Sequence, residues 1–119
     1  MIDVLNLSAC LLTIAFGAFG FLAPRYTAQA LDLAPTDSTM GLSELRASVG
    51  GLFVVAAIAA IWLDAPLAFV MLGCCYLGAA MGRVVSLGLE QPPFARAVVF
   101  GLIEAVLAGW LILANFGPS

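Results

Sequence analysis

The chain has 119 residues, 64% of them apolar and only 9% charged, with seven acids and four arginines giving a formal charge of −3; its mean hydropathy is +1.15. Such a composition cannot clothe a soluble domain in polar surface, and it points to lipid as the solvent. It offers no basic patch for nucleic acid, and the absence of histidine removes imidazole zinc sites, His-ligated haem and the commonest general base.

Val4 to Leu22 is an apolar run of spanning length. Asp3 flanks it in place of the positive region of a secretory signal, so a retained first helix is expected over 4–22. Gly17 and Gly20 lower helix propensity there and mark close packing. Pro24 suits a first helical position. The more polar stretch from Arg25 to Leu33 predicts a short interfacial helix, with Tyr26, Leu31 and Leu33 on the bilayer surface and Arg25, Gln29 and Asp32 toward water. Pro35-Thr36-Asp37-Ser38-Thr39 is turn chemistry in which Asp37 or Ser38 can cap the next helix.

A second span is expected from about Gly41 or Ser43 to Leu63 (43–63), ended by Asp64-Ala65-Pro66, since Pro66 both stops one helix and starts another. The third is expected over 67–87, and the fourth over 94–116 after Glu90-Gln91-Pro92-Pro93, with Asn115 and Gly117-Pro118 closing it. Each has about the twenty residues needed to cross roughly 30 Å of hydrocarbon. The expected fold is all-α: one transmembrane domain, 1–119, arranged as an up-down-up-down four-helix bundle. Arg25, Arg46, Arg83 and Arg96 fall on the side of the first and third connections. Arginine excess marks the cytoplasmic side, which places both termini in the periplasm.

Charge inside the spans is the remaining signal. Glu104 lies about 15 Å into the fourth span at 1.5 Å per residue, near the depth where an acid costs roughly 2.5–3.5 kcal/mol. Arg83, roughly 6–8 Å deep on the neighbouring helix, is its natural partner. Glu44 and Arg46 point about 200° apart on a helix, so they cannot pair with each other. These four residues are expected to form one buried, electroneutral polar cluster; the alternative is that Glu44 and Arg46 snorkel to the interface. Gly50, Gly51, Gly78, Gly82, Gly101, Ala105 and Gly109 supply small faces for helix packing. Cys10, Cys74 and Cys75 lack metal or redox spacing and read as apolar filler. Trp62, Trp110 and Tyr26 suit interfacial anchoring. With no glycine loop, nucleophile–base pair or metal cluster, no catalytic residue, metal or cofactor is expected.

Glu44-Leu45-Arg46-Ala47 followed by Gly50-Gly51 resembles the motif of a bacterial family of small membrane proteins, domain-of-unknown-function family 4345. The likeness continues at Gly82-Arg83 and Glu104 and takes in Ala23-Pro24 and the long first connection; Val49 stands where the pattern has an aromatic. The resemblance implies a four-helix protein of the bacterial inner membrane and supplies no reaction, substrate or partner. The function expected is non-enzymatic: a structural or accessory component, in contact with the lipid bilayer, of a larger membrane complex or homo-oligomer. The alternative is a carrier or binding protein for a small lipophilic or anionic molecule held by the Arg/Glu cluster, and a third possibility is a proton-coupled element acting through Glu104.

Overall fold

The computed structural model describes residues 3–34 and 36–116. Pro35 of the first turn, and Gly117 and Pro118 after the last helix, lie outside the described residues. Those described are helices and short connections, with no strand among them. The chain divides into two units, one ending at Trp62 and the other beginning at Leu63.

In the first unit, α1 spans Val4–Leu22. It starts at Asp3, whose Oδ1 accepts from the backbone N–H groups of Leu5 at 2.8 Å and Asn6 at 3.3 Å, satisfying donors that a helix start leaves bare. Its hydroxyls are absorbed internally: Ser8 Oγ donates to the Val4 carbonyl and Thr13 Oγ1 to the Ala9 carbonyl, each at 2.8 Å. The helix breaks at Ala23, with φ −131° and ψ 63°, because Pro24 has no N–H to continue it. Pro24 then opens α2, Pro24–Ala30, which Leu31 and Asp32 (φ 62°) close. An aspartate tolerates that left-handed conformation better than most residues.

The next rod begins at Met40, one residue before the earlier of the two expected starts, where Ser38 Oγ accepts from the Met40 N–H at 3.2 Å. It consists of α3 (Met40–Glu44), a π-helical segment (Leu45–Gly51) and α4 (Leu52–Leu63). Ala28, Leu42 and Leu45 form a small apolar core with Leu31 and Val49 packed against it. Leu31 therefore turns into this core and not onto the bilayer surface. Helix α2 buries Pro24, Thr27 and Ala28, while Arg25, Tyr26, Gln29, Asp32 and Leu33 are exposed as expected and Leu31 alone of the six is partly buried. The Tyr26 ring lies 5.9 Å from that of Phe19, centroid to centroid.

Thr27 is only 8% exposed, yet its hydroxyl finds no hydrogen-bond partner. A buried hydroxyl without a partner costs about 1–3 kcal/mol on protein scales. Thr27→Val, which keeps the shape and removes the hydroxyl, is expected to raise stability by about 1 kcal/mol, read as a higher midpoint in denaturant titrations in bicelles.

In the second unit, α5 (Pro66–Leu89) and α6 (Phe94–Phe116) form an antiparallel hairpin. Pro66 opens α5 after Asp64 (φ 46°), and Gln91 (φ 52°) turns the chain before Pro92-Pro93. The hairpin closes tightly at Gly73, where a Cβ would sit 2.8 Å from Ile112 Cγ1 and 2.9 Å from Leu111 Cβ. Asn115 Nδ2 donates to the Leu111 carbonyl at 2.8 Å, so its amide is absorbed by its own helix.

Four helices, Val4–Leu22, Met40–Leu63, Pro66–Leu89 and Phe94–Phe116, are long and apolar enough to cross a membrane. Large apolar side chains such as Val55, Met71, Val84, Val106 and Leu113 point outward, which water would penalise and lipid does not. This is a multi-pass membrane protein, all-α, with a short helix in its first connection.

Candidate functional site: the polar groups of the spans

The deepest charges belong to the hairpin. Arg83 stands on the last third of α5 and Glu104 near the middle of α6, on helices whose antiparallel register brings them level. Arg83 Nε donates to Glu104 Oε1 at 3.2 Å, and Nη2 donates to Oε2 at 3.0 Å. This two-point fork is the strongest geometry an arginine and a carboxylate can adopt. Gly101 makes it possible: a Cβ there would lie 3.2 Å from Arg83 Cγ, so the absent side chain leaves room for the arginine stem. The guanidinium carbon also lies 5.6 Å from the centre of the Phe100 ring, within cation–π range.

The pair is not buried, contrary to expectation. The Arg83 and Glu104 side chains retain 31% and 17% of their exposure.

Arg46 is engaged elsewhere. Its Nη1 donates to the backbone carbonyl of Phe21, one of the last four carbonyls of α1, which the break at Ala23 deprives of helical donors. A cation at a helix C-terminus also meets the negative end of the helix dipole. Arg46 thus caps α1 from across the unit, and it is exposed. Glu44 is exposed too, and its carbonyl accepts from Ser48 Oγ at 2.6 Å. Within the first unit, then, Glu44 and Arg46 are both exposed, and Arg46 is engaged with the end of α1.

The small residues divide by what faces them. At Gly50 a Cβ would fall 2.7 Å from Phe21 Cα and 2.8 Å from the Gly20 carbonyl carbon, so the two backbones touch. Gly17 and Gly20 are the opposing half of this contact, meeting Val54, Val49 and Gly50. Gly51 is looser, with Phe21 Cδ1 at 3.7 Å. Gly78, Gly82 and Gly109 have nothing within 4 Å of a built Cβ, and Ala105 is exposed. Gly73, whose position inside an apolar run gave no spacing signal, proves to be the tight point of the hairpin. Gly78→Ala should therefore be stabilising by about 0.5–1 kcal/mol, the helix-propensity difference, provided nothing packs on that face in the membrane. Unfolding of the purified protein in detergent measures the propensity gain, and unfolding in native-lipid discs measures whether that face stays open.

The residues that carry this architecture, from Asp3 through Arg46 and Arg83 to Asn115, fall within one family model, Domain of unknown function (DUF4345), which matches residues 3–115. The chain belongs to the DUF4345 family. No curated protein and no solved structure matches it. For this DUF4345 chain the Glu44–Gly51 stretch now has a physical description. It is the π-helical segment and its lead-in, supplying the capping arginine and the glycine of closest approach.

Proposed function

We propose that this protein is a non-enzymatic structural or accessory component of a membrane assembly. On this reading it lies in the bacterial inner membrane with both termini in the periplasm and takes part in a larger complex or a homo-oligomer. The observation that carries it is where the polar chemistry is spent. Arg83 and Glu104 hold two helices together, Arg46 caps a third, and Ser8, Thr13, Ser48 and Asn115 bond to carbonyls of their own helices. Side chains already committed to the fold are poorly placed to bind substrate, while outward apolar faces suit helix–helix contact.

Extraction in a gentle detergent followed by size analysis tests the proposal. A species larger than one chain, or a co-purifying membrane protein, supports it; a lone monomer retaining only lipid overturns it. Orientation is tested separately by terminal reporter fusions, and activity confined to a cytoplasm-dependent reporter would reverse the assignment. The carrier alternative draws no support from the cavity beneath the first connection. That cavity, of about 130 Å³, is lined by Ala28, Leu33, Ala34, Gly41, Leu42 and Leu45 and includes none of the charged residues such a site would use.

A further inference from the structure

Both long helices of the first unit are irregular, and they are irregular at the same level. Helix α1 breaks at Ala23, two residues past Phe21. Opposite it runs the π-helical segment Leu45–Gly51, which holds Phe21 from two points: Gly50 lies against its backbone, and Arg46 donates to its carbonyl. Beyond these two irregularities lies a tip made of α2, the first connection and α3. The tip has an apolar cluster, Ala28, Leu42 and Leu45 with Leu31, that also meets Val49 of the π-helical segment. It also contains the cavity of about 130 Å³ and the unpartnered Thr27 hydroxyl. Voids and unsatisfied groups lower local stability relative to a well-packed helix pair.

We infer that α2, α3 and the described residues between them form a hinged tip, turning on the Ala23 break and the π-helical segment, with the Arg46–Phe21 bond as its latch. A π-helical turn can become α-helical by shifting its hydrogen bonds one residue along, which rotates the preceding segment by about 100° relative to the rest of the helix. Gly50 and Val54 stay with α1 in that conversion, since they pack on Gly17, Gly20 and Phe21. Arg46 is carried away from the Phe21 carbonyl. The tip's cluster joins α2 to α3, so the two move together, and the matching pivot in the first helix is already present at Ala23. Element-terminal residues that absorb a backbone change in this way are the usual material of hinges. The latch is an exposed charge-assisted hydrogen bond, which water or a competing acceptor can replace; the Phe19–Tyr26 ring contact and the packing of Val49 on the tip's cluster must loosen with it.

Hydrogen exchange on the full chain in lipid discs tests this. In the wild-type protein, amides across 24–45 should exchange as one block, separate from 5–19 and 52–62. Arg46→Gln should accelerate that block by about tenfold or more, the worth of a charged hydrogen bond, and leave α5 and α6 unchanged. A second measurement uses spin labels at Gly41→Cys and Leu12→Cys in a Cys74→Ser, Cys75→Ser background. Arg46→Gln should shift the distance distribution, whereas deletion of Ala47, which removes the extra residue of the π turn and lets the helix become regular without rotating the tip, should leave it as in the wild type. An unchanged distribution in Arg46→Gln, or faster exchange spread evenly over all helices, overturns the hinge. If Arg46→Gln does not fold, the wild-type pattern decides: independent exchange of α2 and α3, without a common block, overturns it.

Discussion

Gly50→Ala is expected to cost about 3 kcal/mol, the upper end of the usual range for overpacking, and to give the largest loss of any single methyl in the first unit. The new carbon would fall 2.7 Å from Phe21 Cα and 2.8 Å from the Gly20 carbonyl carbon. Neither is the end of a flexible side chain; both are backbone of a packed helix, so the helices themselves must separate. Separation also pulls Arg46 from the Phe21 carbonyl, adding the loss of a charged hydrogen bond of about 1.5–3 kcal/mol if that bond breaks fully. The matched control is Gly51→Ala, one residue along in the same segment. There the nearest atoms are 3.4 Å and 3.7 Å away, ordinary contact, and the change should be close to neutral. Denaturant unfolding of both variants in bicelles makes the comparison. Equal stability of the two would mean that the backbones do not touch at Gly50.

The second large effect is expected at Glu104. Its two carboxylate oxygens each accept from Arg83, at 3.2 Å and 3.0 Å. A glutamine keeps one acceptor and turns an amide N–H₂ toward a guanidinium that can only donate. Glu104→Gln should therefore destabilise by about 2 kcal/mol, less than the 3–5 kcal/mol typical of a fully buried pair because this one is partly exposed. Glu104→Ala should cost somewhat more, since it also removes packing beside Gly101. The double variant Arg83→Met, Glu104→Leu should recover most of that loss, because removing both charges together leaves none stranded in lipid. Measured as a double-mutant cycle, the coupling should exceed about 1 kcal/mol. A Glu104→Ala protein as stable as wild type would show that the pair contributes nothing.

Helix positions were legible because proline and apolar run length are local signals. Pro24, Pro66 and Pro92-Pro93 punctuate three boundaries, and the spans fill the intervals between them. The placement of Arg83 and Glu104 on either side of a short connection likewise pointed to their proximity. Three features were not legible, each for a physical reason. The π-helical segment differs from an α-helix by one residue per hydrogen bond, and the seven residues Leu45–Gly51 are too few for a periodicity to record the change. Arg46 bonds to a main-chain carbonyl, which has no letter in a sequence; only Pro24, by withholding a donor, hints that the end of α1 needs one. The glycines look alike as letters, yet Gly50 and Gly73 meet neighbouring helices while Gly78, Gly82 and Gly109 meet nothing within 4 Å. Tertiary neighbours decide that, and the spacing of small residues along one helix does not contain them. Burial misled in the same way: Arg83 and Glu104 were expected to be fully enclosed and are only partly so.

The fork between Arg83 and Glu104 also sets how the hairpin meets the thickness of its bilayer. Helix α5 has 24 residues and α6 has 23, which at 1.5 Å each is about 35 Å of rod against roughly 30 Å of hydrocarbon. Two unpaired helices could tilt and slide independently, each finding its own angle and depth. A two-point bond tolerates no such slide: one residue of slip displaces the donors by about 1.5 Å and breaks both contacts. The surplus must be taken up by tilting the two rods together as one body, or by drawing the lipid around both of them thicker. The ion pair thereby turns a local register into a response to membrane thickness.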